Sequence, residues 1–127
     1  LADSGFETVL LVEDETAILE VGVHVLEKRG YHVLTAATPS QALDMVGSYP
    51  HPIDLLITDV IMPELNGQQL AEAIRQIRPD IKVLYISGYT ADIISHHGVL
   101  LPGINFLEKP FSGRQLGRKV REILDQQ

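Results

Sequence analysis

The feature that most constrains this chain is an alternation. Short, continuously apolar runs are followed by segments whose apolar residues recur at helical spacing. The runs are Thr8-Val9-Leu10-Leu11-Val12, His32 to Ala36, Ile53 to Thr58, Lys82 to Ile86 and Asn105 to Glu108. A strand apolar on both faces needs cover on both faces, which points to a parallel sheet between helices. Ile18, Val21, Gly22, Val25 and Leu26 follow i, i+3, i+4, i+7, i+8, one face of a helix, with Gly30 just past its end. Thr38-Pro39 reads as an N-cap with Pro at the first helical position, ahead of Ala42, Leu43 and Val46. Leu70, Ala73, Ile74 and Ile77 mark a third helix, over about Gly67 to Arg78. Ala91 to His97 is a short fourth candidate, and Leu116, Val120, Ile123 and Leu124 mark a last helix starting near Ser112.

Five such β-α units in 127 residues fit an open doubly wound α/β sheet better than a closed eight-stranded barrel. Right-handed crossovers then place helices on both sides, and sites fall beyond the carboxyl ends of the strands at the topological switch point. Residues 1–7 read as a lead-in and 8–125 as one domain. Leu1 in place of Met is expected of a piece cut from a longer protein.

Composition removes several functions. Ten Lys and Arg against 17 Asp and Glu give a net charge of −7, which argues against non-specific nucleic-acid binding. With no cysteine, a disulfide framework, a thiolate zinc site and a cysteine nucleophile are all excluded. No apolar run approaches the roughly 18–20 residues of a membrane helix, and no secretory signal pattern opens the chain. Membrane contact by this domain is therefore not expected.

The expected strand ends carry chemistry. Glu13 and Asp14 follow the first strand, Asp59 the third, Ser87 the fourth and Lys109 the fifth. Each has an ordinary reading: acids at a helix start, a turn Asp, a turn Ser-Gly, a surface lysine. Those readings become improbable jointly, because all the positions fall on one edge of the sheet. Close carboxylates repel unless a cation neutralises them, and oxygen ligands without His or Cys favour Mg²⁺. A lysine and a hydroxyl beside such a cation are suited to stabilising a transferring phosphoryl group. A carboxylate can itself be the nucleophile, giving an aspartyl phosphate.

At these residues the chain resembles the receiver domain of two-component response regulators. The matching stretches are Glu13-Asp14, Leu55-Leu56-Ile57-Thr58-Asp59 with Met62-Pro63 and Gly67, Ile86-Ser87-Gly88, and Lys109-Pro110-Phe111. They occur in order from about Thr8 to Leu124. The resemblance implies a flavodoxin-like five-stranded sheet of order 2-1-3-4-5 with five helices, so residues 8–125 would be the receiver. It implies that Asp59 accepts the phosphoryl group and that Glu13, Asp14, Asp59 and the backbone carbonyl of Ile61 hold Mg²⁺. Ser87 would supply the hydroxyl that swings toward the phosphoryl group, Lys109 would pair with its oxygens, and Phe106 would be the aromatic switch position. A cis Lys109–Pro110 bond is also implied.

The implied function is signalling rather than enzymatic turnover, although such a domain promotes its own phosphorylation and dephosphorylation. The phosphoryl donor would be the phosphohistidine of a partner histidine kinase or phosphotransfer domain. The output surface would be the fourth helix, fifth strand and last helix, about Ala91 to Leu124, with a dimer through it a further expectation. Gly5-Phe6-Glu7-Thr8 and Ile86-Ser87-Gly88-Tyr89 are most similar to receivers of hybrid sensor kinases, which implies a cytoplasmic domain tethered to the inner membrane through its parent. The alternatives are a stand-alone or effector-trimmed response regulator and a phosphorylation-independent interaction module. A phosphatase with its nucleophile after the first strand would need two alternating Asp residues where this chain has Glu13-Asp14-Glu15. Glu13 stands where Asp is commoner, Phe106 lacks a hydroxyl, and Ile61 and Tyr89 offer no carboxylate or amide to position water. Slow self-dephosphorylation is the expectation from those last two positions.

Overall fold

The computed structural model describes residues 3–88 and 104–126. Among them lie strands β1 (Thr8–Val12), β2 (His32–Ala36), β3 (Leu55–Asp59), β4 (Lys82–Ser87) and β5 (Asn105–Glu108). The helices are α1 (Thr16–Lys28), α2 (Pro39–Ser48), α3 (Gly67–Ile77) and α4 (Gly113–Leu124). The short helix expected at Ala91 to His97 falls outside the described residues. All pairings are parallel, in the order β2-β1-β3-β4-β5. This is the doubly wound sheet the alternation predicts.

The strand period of two explains the unbroken apolar runs. Leu10, Val12, Leu56, Val83 and Tyr85 pack with α2 and α3 residues such as Ala42, Val46, Leu70 and Ile74. Val9, Leu11, Leu55, Ile57, Leu84 and Ile86 pack on the opposite face with Leu26 of α1 and Leu116, Val120 and Ile123 of α4.

The helix ends follow their side chains. Thr38 Oγ1 accepts from Gln41 N–H ahead of Pro39, while Asn66 and Ser112 form reciprocal capping boxes with Gln69 and Gln115. Gly30, just past α1, sits at φ +100°, a left-handed position that glycine enters without a Cβ clash.

Some expectations need adjusting. Gly22, Val25 and Leu26 of the expected α1 face do pack on the core, joined by Leu19 and Val23, but Val21 is half exposed. Gly22 lets α1 approach Leu11 closely, since a Cβ there would meet the Leu11 side chain. Ile77 is likewise half exposed at the end of α3. Asp59 and Ser87 are the last residues of their strands rather than the first of their loops, because ladder pairing continues through Asp59–Ile86 and Ser87–Glu108.

The lead-in is bound to the domain. Gly5 N–H donates to Arg29 O at 3.0 Å, and the Arg121 guanidinium donates to both Glu7 oxygens at 3.0 and 2.7 Å. The same guanidinium reaches Tyr31 Oη, Ser4 O and Asp125. At the same end of the sheet, Lys82 Nζ donates to the carbonyls of Ile123, Leu124 and Gln126, satisfying the C-terminal end of α4.

Candidate functional site

The switch point lies between β1 and β3, and the chain turns there in opposite directions to α1 and toward α3. Glu13 leaves β1 but still donates its N–H to Ala36 O of β2 at 3.1 Å, so it stays beside the sheet and its side chain is fully buried. Asp59 ends the central strand β3 and is 5% exposed. Asp14 sits one residue beyond Glu13 and is exposed. Oxygens of Glu13, Asp14 and Asp59 all lie within 4.8 Å of one another.

Lys109 reaches this cluster from β5. Its N–H donates to Ser87 O at 2.8 Å, continuing the β4–β5 ladder one residue past the strand. Its Nζ lies 2.8 Å from Asp59 Oδ1, 3.0 Å from Glu13 Oε1 and 3.5 Å from Glu15 Oε1. The Lys109–Pro110 bond is cis, as the resemblance implied. Ser87 is 5% exposed and lines, with Asp14, Asp59, Ile61 and Lys109, an open cavity of about 320 Å³. Ile61 is half exposed at its rim. Phe106 is not part of this cavity; it lies on β5, paired with Tyr85 and packed on the α2–α3 side. Tyr89 is outside the described residues.

The electrostatics follow from this placement. Burial, then the neighbouring Asp59 carboxylate, pushes the Glu13 carboxyl above its ordinary range, more than Glu15 N–H and Lys109 pull it down. Burial alone would lower the Lys109 ammonium, but Asp59 and Glu13 outweigh it and hold it above its ordinary range. Glu13 Oε1 is fully buried and, apart from the 3.0 Å ion pair with Lys109, no hydrogen bond among the described residues satisfies it.

That buried oxygen, held by an ion pair alone, tests whether the site suits a cation. Three carboxylates face one ammonium, and the buried Glu13 Oε1 has only that shared ammonium as its partner among the described residues. Hard oxygen donors with no His or Cys among them suit Mg²⁺. The residues fit.

Two contributors escaped the sequence reading, and one gained a reason. Thr58 is fully buried, and its hydroxyl donates to Asp59 O at 3.1 Å beneath the acid. A buried Thr in an otherwise aliphatic strand was the available signal. Glu15 was read only as part of an acidic run, yet it shares the Lys109 ammonium. Gly67 begins α3 directly against the strand, where a Cβ would collide with the Asp59 backbone oxygen.

A doubly wound sheet with an acidic cluster and a lysine at its switch point defines a class of phosphoryl-handling signalling domain. The response regulator receiver domain model matches residues 9–121, and the chain belongs to that family. It is a receiver domain of two-component systems. Receiver domains generally bind Mg²⁺ at such an acidic pocket, and their partners are histidine kinases or phosphotransfer proteins.

Among its relatives, the sensor kinase CckA of Brucella abortus is 41% identical over 124 residues, which is 98% of this chain but 13% of that protein. The response regulator receiver protein CpdR of the same organism is 33% identical over 116 residues, covering 91% of this chain and 95% of that protein. Among solved structures, the receiver domain of the hybrid histidine kinase CckA superposes with a TM-score of 0.78 at 36% identity, covering 93% of this chain and 99% of that one. Vibrio cholerae CheY4 gives 0.81 at 26% identity, covering 94% and 99%. No helix among the described residues is long and apolar enough to cross a membrane.

Proposed function

We propose that this domain takes a phosphoryl group from the phosphohistidine of a partner kinase or phosphotransfer domain onto Asp59. The observation that carries this reading is the ion pair of Lys109 Nζ with Asp59 Oδ1 at 2.8 Å, inside a cluster of three carboxylates. An Asp59 oxygen attacks phosphorus, the P–N bond to the donor imidazole, protonated on its other nitrogen, breaks, and the leaving nitrogen keeps the electron pair. The product is an acyl phosphate on Asp59 and a neutral histidine on the donor. Glu13, Asp14, Asp59 and the Ile61 backbone carbonyl would hold Mg²⁺, which when bound offsets charge on the phosphoryl oxygens. Lys109 gives up part of its pairing with Asp59 and follows the phosphoryl oxygens. The Ser87 hydroxyl donates to one of them. These movements draw on β4 and β5, so Ser87 and Phe106 relay the change to the output surface expected over about Ala91 to Leu124, of which β5 and α4 lie within the described residues, and that surface also serves for a dimer.

The half-exposed Ile61 at the cavity rim, and the half-exposed Val21, which lines an adjoining cavity that shares Glu15, Gly88 and Lys109, supply apolar contact area for the phosphoryl donor. Within a longer chain, the reading favoured by the similarity to CckA is the receiver of a hybrid sensor kinase, on the cytoplasmic side and tethered through its parent.

Incubation with Mg²⁺ and acetyl phosphate, followed by intact-mass measurement, tests the acceptor. One added phosphoryl group on the native domain and none on Asp59→Asn is expected. Equal labelling of both proteins, or of neither, overturns the assignment.

A further inference from the structure

The loop from β3 to α3 carries a backbone anomaly. Glu64 sits at φ +75°, a left-handed position unfavourable for a residue with a Cβ. Its carboxylate accounts for the placement. Glu64 Oε1 accepts from Ser40 Oγ at 2.8 Å and from Ser40 N–H at 3.2 Å, across 24 residues of sequence. Ser40 lies in the first turn of α2, where backbone amides lack partners within the helix and the helix dipole favours an anion. Thr38 already serves Gln41 N–H there, so Glu64 is a second, long-range anchor rather than the helix's own cap.

Local bonds shape the rest of the loop. Leu65 N–H donates to Pro63 O at 3.0 Å, and Gly67 N–H closes the loop onto Val60 O at 2.8 Å. Ile61, inside that closed segment, lines the acidic cavity. The loop is also held at its base, where Val60 N–H donates to Ile86 O of β4 at 3.0 Å and Val60 and Met62 are buried in the core. Glu64 adds a polar brace from the exposed side of the loop to α2.

We propose that Glu64 and Ser40 form a positioning clamp, which sets the β3–α3 loop so that the Ile61 backbone carbonyl is preorganised for the cation of the acidic cluster. This rests on reading that cluster as a Mg²⁺ site. Glu64 touches neither cation nor phosphoryl group; it acts through the loop. Supporting partners of this kind typically shift metal affinity by roughly 10–100-fold when removed.

Calorimetric titration with magnesium chloride tests the clamp, with melting curves recorded in parallel without added metal. Glu64→Gly removes the carboxylate while suiting the left-handed backbone, so folding is not endangered. Ser40→Ala removes the hydroxyl without touching the loop. Each is expected to weaken Mg²⁺ binding about tenfold, whereas Glu64→Gln, which keeps an acceptor oxygen, stays within about twofold of native. The double variant Ser40→Ala with Glu64→Gly is expected to be no weaker than Glu64→Gly alone, since both break one bond set. Unchanged Mg²⁺ affinity in Glu64→Gly and Ser40→Ala, with only the melting temperature lowered, overturns the clamp and leaves a merely structural contact. A native protein that binds no Mg²⁺ overturns the site reading itself, and the two failures are told apart by the native titration alone.

Discussion

Lys109 Nζ and Asp59 Oδ1 are 2.8 Å apart although 50 residues and an intervening strand separate them. The register explains the meeting. β4 pairs with β3 through Asp59–Ile86 and with β5 through Ser87–Glu108, and the Lys109 amide adds one more rung. The long lysine stem then spans the width of β4 to reach the acid. An ammonium so placed offsets part of the charge of the metal-free cluster and can follow charge as it moves onto a phosphoryl group.

Removing that ammonium leaves Glu13 and Asp59 facing each other without compensation. Lys109→Ala is expected to lose about 2–4 kcal/mol of stability at neutral pH without Mg²⁺. Urea denaturation should show a lower midpoint, with millimolar Mg²⁺ restoring part of it.

Glu13 predicts the opposite sign. Its carboxyl is raised in the folded state by burial and by Asp59, so folding favours the protonated form. Its contribution is fully present below the ordinary value of 4.5 and is lost as pH rises through the raised folded value. Glu13→Gln is therefore expected to stabilise the metal-free domain, by a margin that grows as pH climbs from 4.5 toward neutrality. Melting temperatures of native and variant across that range check this, and a constant difference counts against it. The same variant should bind Mg²⁺ more weakly.

Glu7 behaves as the usual paired acid. Its hydrogen bonds from Arg121 hold the carboxyl below its ordinary value, so the stabilisation is present above 4.5 and is lost as pH falls through the lowered folded value. Arg121→Ala is expected to cost roughly 1–2 kcal/mol at neutral pH, because a bidentate pair and the lead-in contacts go together. Hydrogen exchange at the Gly5 amide, bonded to Arg29 O, should accelerate in that variant.

Ile61 stands half exposed at the cavity rim and offers no group to orient water. Slow loss of the phosphoryl group is expected, and Ile61→Asn should hasten it about tenfold, since a side-chain amide can position the attacking water. Decay of the phosphorylated mass after removal of acetyl phosphate measures both rates.

Gly67→Ala tests how tightly α3 is built against the acid. The added methyl would collide with the Asp59 backbone oxygen, so the variant should lose about 2–3 kcal/mol and weaken Mg²⁺ binding as Asp59 shifts. Chemical denaturation and metal titration of the same sample separate the two effects.

Much of this was legible in sequence because it is written in short-range patterns. Unbroken apolar runs such as Leu55-Leu56-Ile57 mark strands buried on both faces, and the Thr38-Pro39 and Gly30 signals mark helix ends, since each depends only on near neighbours. The order of Glu13-Asp14, Asp59, Ser87 and Lys109 at strand ends then placed the candidate site. What lay beyond reach depended on how elements pack. Val21 is half exposed while Gly22 beside it packs against Leu11, and no spacing rule contains that distance. Glu64 was an ordinary loop acid in sequence. Only the fold puts Ser40 at the end of its side chain and makes its left-handed backbone tolerable. The described strands and helices, their layering and the set of chemical groups could be read along the chain, because periodicity and capping are local. Tertiary structure alone decided which groups touch, how buried Glu13 is and which way its carboxyl titrates, because those depend on distances across the sheet.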